Sequence, residues 1–475
     1  MAFVGRAQQL RSLDRLLERV RTDEGGTPGR ALLVRGRRRV GKSRLVEEFL
    51  ERSGVPCLFY AATGRPVRDE LRTFAEDVSF SSLPGAELFR DVELSSWDSA
   101  LRLLGAAVGD AACVVVLDEL PYLTSTDPGF EGTLQRVFDR DLSRKRVLLV
   151  GIGSDLAMME QLNAYGRPFH QRATEMVVPP LSPAEVGTLL GLSAPDAFDA
   201  YLVTGGLPLI CQEWPAGAGL WDYLASALDE PTSALLVSAE RALAAEFPTE
   251  AQARTVLGVV GSGERTFTAI GREAGGLQQA SLSRALRLLV DKRVVVADQP
   301  LSTRSGAKDK RYRVADPYLR FWLTFLGHRI GEIERGRGDR VLARVRASWT
   351  SWRGRAVEPV VREALDRLAL DALDAADPDD RVVPVVGGYW TRTNDPEIDV
   401  VLADQAPVAQ RILGVGSIKW LESSPFDRDD LSRLLRHRTQ LPGADSGTAL
   451  LVVSRSGATV DDVVLHTPES LIAAW

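Results

Sequence analysis

One stretch limits what this chain can fold into more than any other: Gly36-Arg-Arg-Arg-Val-Gly41-Lys42-Ser43. It follows an apolar run, Ala31-Leu-Leu-Val34, and leads into apolar positions at helical spacing, Leu45, Val46, Phe49 and Leu50. Strand, glycine-bearing turn and helix in that order make a phosphate-binding loop, and with it an α/β domain built on a parallel sheet. Glycine lets the turn aim several backbone N–H groups at one anion, and the helix N-terminus adds its positive end. The candidate residues around the phosphates of a nucleoside triphosphate are Gly36, Arg39, Val40, Gly41, Lys42, Ser43 and Arg44. Lys42 is expected to reach the β- and γ-phosphates, and Ser43 to hold Mg²⁺.

About 80 residues further on, Cys113-Val-Val-Val-Leu-Asp118-Glu119 reads as a central strand buried on both faces that ends in two carboxylates. Asp118 is placed to hold Mg²⁺, and Glu119 to orient or deprotonate an attacking water. A third apolar run, Arg146-Val-Leu-Leu-Val-Gly-Ile152, ends at Gly153-Ser154, where Ser154 can sense the γ-phosphate. Arg167 reads equally well as a finger reaching into a neighbouring subunit and as a surface arginine. Val177-Val-Pro-Pro-Leu181 is expected as the last short strand, with a helical lid after it.

At 475 residues the chain exceeds a single core, and roughly three domains are expected. With 45 % hydrophobic and 26 % charged residues it has a soluble composition, and a net charge of −6 leaves only local basic patches for nucleic acid. There is no run of 18 apolar residues and no h-region after the N-terminal methionine, so no membrane span and no signal peptide are expected. Cys57, Cys113 and Cys211 lie far apart in apolar surroundings and read as free thiols of a cytoplasmic protein.

Six motifs occur here in the order found in archaeal-type P-loop ATPases, relatives of the AAA+ and STAND nucleotide switches. They are Phe3-Val-Gly-Arg6, the loop Gly36–Ser43, Leu117-Asp-Glu-Leu-Pro-Tyr122, Gly153-Ser154, Tyr165-Gly-Arg167 and Thr204-Gly-Gly-Leu-Pro208. Residues 1 to 235 thus resemble that family. The resemblance implies that the nucleotide is ATP and that Gly206 and Pro208 lie beside its adenine. The family's usual Glu is replaced by Gln9, which puts that contact in question.

Residues 250 to 300 read as two short helices around Gly275-Gly276, then a strand and a polar tip: a helix-turn-helix with a wing. Its candidate DNA face is Ser281, Ser283, Arg284 and Arg287, and the basic wing 302–311 could meet phosphates. Such modules also serve as lids and protein contacts. Tyr318, Phe321, Trp322 and Phe325 fall at helical spacing and read as packing; their stretch resembles the start of the C-terminal DUF234-type domain that accompanies these ATPases.

From Ser351 the pattern is α/β again: a helix from Trp352 to Leu365, then strands at Arg381–Val386, Glu397–Leu402, Arg411–Gly416 and Thr448–Val453. Pro396-Glu-Ile-Asp399 and Ser417-Ile-Lys419 resemble the signature of the restriction-endonuclease-like fold. Asp399 matches its first metal carboxylate, Lys419 its lysine and Glu358 the acid on the preceding helix. Ser417 stands where the second carboxylate belongs, so the site lacks one negative charge for a metal. Asp395 or Glu397 could compensate, but strand alternation is taken to turn Glu397 to the other face unless the strand bulges. The site reads as degenerate.

The expected architecture is therefore an α/β P-loop NTPase core over 1–180 and a helical lid over 181–245. A winged helix over 246–315, a helical connector over 316–350 and a nuclease-like α/β domain over 351–475 follow. The expected activity is ATP hydrolysis that moves the attached modules. An ATP-gated, metal-dependent DNA nuclease and a slow ATP/ADP switch are the alternatives. DNA, a protein partner and further copies of the chain all remain open as partners.

Overall fold

The computed structural model describes residues 3–23, 26–154, 156–162, 164–167, 172–247, 251–261, 263, 265–306, 309–374 and 383–475. The chain forms two compact units, Met1–Pro180 and Leu181–Trp475.

The first unit is organised by a parallel sheet of β1 (Arg30–Arg35), β2 (Cys57–Ala61), β3 (Cys113–Asp118), β4 (Val147–Gly153) and β5 (Ala173–Val177). Their spatial order is β2-β3-β4-β1-β5. Every residue of β3 and β4 is buried, which is why both read as unbroken apolar runs. The last strand is Ala173–Val177 rather than 177–181. Pro179 and Pro180 have no N–H to give a ladder, so pairing stops after Val178 donates to the Arg35 carbonyl at 2.8 Å. One face of the sheet is covered by helices Val67–Phe80, Trp97–Ala107 and Phe130–Arg140. There Trp97 meets Phe74 and Phe130 edge-on, with centroids 5.4 and 5.1 Å apart.

The second unit begins with helices Pro183–Leu190, Ala194–Thr204, Leu220–Asp229 and Ala234–Glu246. Three further helices, Ala251–Val260, Phe267–Glu273 and Gln279–Asp291, accompany a small antiparallel sheet. Its strands are β6 (Arg265–Thr266), β7 (Val295–Asp298) and β8 (Arg311–Val314). In helix Pro317–Phe325 the four aromatics expected to pack are buried, and Tyr318 and Trp322 donate to the Leu235 and Leu236 carbonyls at 2.8 and 2.9 Å.

The helix expected from Trp352 starts earlier: one helix of 37 residues runs from Gly338 to Asp374, with Pro359 inside it. A proline there cannot bond the carbonyl four residues back, here that of Arg355. Arg320, itself buried, donates to that carbonyl at 3.2 Å and so satisfies the group the proline strands.

The C-terminal sheet holds β9 (Val385–Trp390), β10 (Glu397–Ala403), β11 (Ile412–Lys419), β12 (Ala449–Ser454) and β13 (Val464–His466), in sequential order. The first three are antiparallel, and β11, β12 and β13 run parallel. β9 lies several residues beyond the expected 381–386, of which 381 and 382 are outside the described residues. β13 has no counterpart among the expected strands; at three residues it is too short to carry a period.

The segment expected as a wing is anchored beside this sheet at both ends, while Arg304 and Ser305 within it are exposed. Leu301 is 2 % exposed in the core with Ile398, Val401 and Val452, and its N–H donates to the Gly388 carbonyl at 2.8 Å. Ala409 N–H donates to the Ser302 carbonyl at 2.9 Å. Arg311 pairs with Glu397 at 2.6 Å and lies over the Trp390 ring at 4.5 Å. The apolar Leu301, close to a basic tip, decides the outcome: burying it outweighs leaving the loop in water. Ala307 and Lys308 of this loop lie outside the described residues.

Candidate nucleotide site

β1 ends at Arg35, and the loop to the helix Lys42–Ser53 turns through two left-handed residues, Arg39 (φ 67) and Gly41 (φ 85). Its start is closely packed: a Cβ at Gly36 would come within 2.4 Å of the Val178 carbonyl oxygen, so only glycine fits. Lys42 is 7 % exposed and closes the loop by donating to the carbonyls of Gly36 and Arg37 at 3.0 and 3.1 Å. Burial lowers its pKa from 10.5, against the opposing pull of Glu119 and Asp118. A cation desolvated in this way gains from an incoming polyphosphate that restores counter-charge.

The strand order places the other residues. β4 lies between β1 and β3, so the ends of all three face one crevice beyond their C-termini. Ser43 donates to Asp118 Oδ2 at 2.6 Å. Glu119 follows in a left-handed conformation (φ 51), and Ser154, one residue past β4, donates to its two carboxylate oxygens at 3.2 and 3.1 Å. Lys42, Ser43, Asp118, Glu119 and Ser154 are thus brought together. Val40 is buried in the loop, and Arg44 points away, pairing with Glu48 and Glu51 along its own helix. Among the expected arginines, Arg167 is bound to Glu131 of the same unit. Gly206 and Pro208 belong to the second unit, where Gly206 has φ 65 and its carbonyl accepts from Leu181 N–H at 2.8 Å. Ser43 and Asp118, bonded to each other, and the ammonium of Lys42 make a donor set whose chemistry fits a Mg²⁺-nucleotide.

One contact lay hidden in a motif. Arg6 is 4 % exposed and donates to the Val40 carbonyl at 3.0 Å, on the outside of the loop.

The C-terminal residues are held differently. Asp399 Oδ2 accepts from Ser417 Oγ at 3.1 Å and from Ile418 N–H at 2.8 Å, while burial raises its pKa against those donors and Arg362. Lys419 does not turn to Asp399; it pairs closely with Asp430, with Asp427 at 3.6 Å, both at the start of helix Arg428–Gln440. Glu358 is paired with Arg362 at 3.1 Å. The strand pairing is irregular between Ile398 and Val401, so alternation alone does not set the faces of Glu397 and Asp399. What withdraws Glu397 is Arg311, its partner on the wing segment. Among the described residues no three His, Cys, Asp or Glu side chains are grouped to hold a metal ion.

The second unit also holds a buried ion cluster that the sequence analysis did not anticipate. Asp199, in helix Ala194–Thr204, meets Arg353 at 3.0 Å and Arg455 at 3.2 Å, and Arg353 is 1 % exposed. The signal was an aspartate inside an apolar helix, Ala197 to Val203, where a charge must be paired.

The parallel sheet, its strand order and the loop after β1 define a P-loop ATPase fold. Residues 322–430 match the DUF234 family, described as "Archaea bacterial proteins of unknown function". An uncharacterised protein of Methanocaldococcus jannaschii is 21 % identical over 450 residues, covering 93 % of this chain and 93 % of its own. Another protein of that organism is 33 % identical over 75 residues, 16 % of this chain and 72 % of its own. Among solved structures, the Walker-type ATPase of Pyrococcus abyssi matches with TM-score 0.45 and 20 % identity, over 68 % of this chain and 96 % of its own. The ORC2 protein of Aeropyrum pernix, solved with ADPNP and ADP, matches with TM-score 0.44 and 14 % identity, over 72 % and 95 %. Among the described residues no helix is long and apolar enough to cross a membrane.

Proposed function

We propose that the chain binds ATP with Mg²⁺ in the loop Gly36–Ser43 and hydrolyses it, and that the nucleotide state controls the attached C-terminal unit. The observation that carries this reading is the convergence of Lys42, the Ser43–Asp118 pair and the Glu119–Ser154 pair at the ends of three adjacent strands. Lys42 would neutralise the phosphates, and Ser43 and Asp118 would hold Mg²⁺, which supplies charge stabilisation when bound. Glu119 would accept a proton from water while Ser154 holds its carboxylate in place. Gly206 and Pro208 are assigned to the adenine.

Residues 251–314 are read as a winged helix whose wing is structural, so DNA contact would fall to Ser283, Arg284 and Arg287, exposed on helix Gln279–Asp291. For the C-terminal domain the degenerate reading is favoured over a nuclease, because Lys419 and Glu358 are each committed to a charged neighbour. A slow ATP/ADP switch is the second reading, supported by the hydroxyl of Ser154 lying across both oxygens of Glu119. ATP turnover of wild type and Lys42→Ala, with and without DNA, tests the proposal. Turnover that Lys42→Ala leaves intact would sink it, and turnover near background with tight ATP retention would select the switch.

A further inference from the structure

Gly5 (φ 78) and Arg6 (φ 62) are both left-handed, and helix Ala7–Thr22 starts directly after them. An arginine adopts that conformation only against a steric cost, so something must repay it. The turn lays the Arg6 guanidinium under the phosphate loop, 4 % exposed, with Nη2 3.0 Å from the Val40 carbonyl oxygen and Nη1 3.4 Å from the Pro180 carbonyl oxygen. Val40 sits between the left-handed Arg39 and Gly41. A loop that turns its N–H groups inward for an anion leaves carbonyls pointing outward, and a buried carbonyl needs a donor. Pro180 is the last residue of the first unit. Two residues before it, the Val178 carbonyl lies against Gly36, and Val178 N–H is bonded to Arg35.

We propose that Arg6 is the positioning residue that couples the phosphate loop to the segment leaving the first unit, so that ATP in the loop tightens residues 173–180. The proposal rests on the P-loop reading and adds its route of regulation. Phosphate on the inner N–H groups holds the loop in one shape. The Val40 carbonyl then holds Arg6, and Arg6 holds Pro180. Ordering passes along fixed hydrogen bonds without any change of fold.

Hydrogen exchange at the amides of 173–178, with and without ATP, tests this in the full-length chain, alongside ATP affinity. In wild type, ATP slows exchange there several-fold. Arg6→Gln loses that response and binds ATP about 10-fold more weakly, the scale of one buried charge-assisted hydrogen bond. Arg6→Lys, which keeps the charge and one donor group, recovers part of both. A residue that merely supported the fold would lower protection in β3 and β4 equally; here those strands keep theirs. The proposal is overturned if ATP binds wild type and leaves 173–178 unchanged, an arm that decides even if Arg6→Gln does not fold. It is overturned too if Arg6→Gln keeps both affinity and response. Absence of ATP binding by wild type, indistinguishable from Lys42→Ala, would instead remove the P-loop reading itself.

Discussion

Ser154 donates its hydroxyl to both carboxylate oxygens of Glu119, at 3.2 and 3.1 Å, across the adjacent strand ends of β4 and β3. The bond fixes a left-handed glutamate whose neighbour Asp118 is already held by Ser43. Glu119→Gln is expected to keep ATP bound and to lower turnover at least 100-fold, the scale of a lost general base. Ser154→Ala, which frees the carboxylate without removing it, is expected to cost about 10-fold in kcat with KM little changed. Steady-state kinetics and nucleotide retention on the same preparations check both.

Lys42→Ala removes the buried ammonium and leaves the Gly36 and Arg37 carbonyls without their donor. ATP affinity is expected to fall about 100-fold, from the loss of a desolvated charge contact. Equilibrium binding of a fluorescent ATP analogue measures it; unchanged affinity would contradict the assignment.

Leu301 belongs to the C-terminal core although it lies in the loop between β7 and β8. Leu301→Ala should therefore destabilise the second unit by about 2–5 kcal/mol, as a large-to-small change in a packed core does. If the segment were a free wing, denaturation would register less than about 0.5 kcal/mol. Arg284→Glu with Arg287→Glu, on the exposed helix face, should leave stability nearly unchanged and abolish any salt-dependent DNA shift.

Asp199 is shared by two arginines, one of them completely enclosed. Removing it as Asp199→Ala leaves uncompensated buried charge and should cost about 3–5 kcal/mol. Thermal or urea unfolding reads the loss, and Arg353→Met paired with Asp199→Leu should lose less than Asp199→Leu alone.

His466, at the end of β13, has its pKa lowered from 6.5 by burial. The folded state thus binds fewer protons there than the unfolded chain, and stability contributed by the neutral ring is complete above 6.5 and lost as pH falls from there through the lower folded-state value. His466→Gln should flatten the wild-type stability curve below about pH 6.5. A denaturation series across that range, run on both proteins, would show parallel curves if the ring were solvated.

Local patterns were enough to place the phosphate loop, both carboxylates and Ser154, because each sits at the end of an apolar strand whose neighbours in sequence define it. The tertiary structure decided what depends on distant partners. Lys419 turned to Asp430 rather than Asp399, since a half-buried ammonium takes the nearest carboxylate the fold supplies. The segment 302–311 is anchored at its start because Leu301, just before it, found an apolar sheet to cover. Arg6 and Val40 are 34 residues apart, and Asp199 and Arg353 are 154 apart. No local periodicity reports such pairs, because they exist only once the chain has closed on itself.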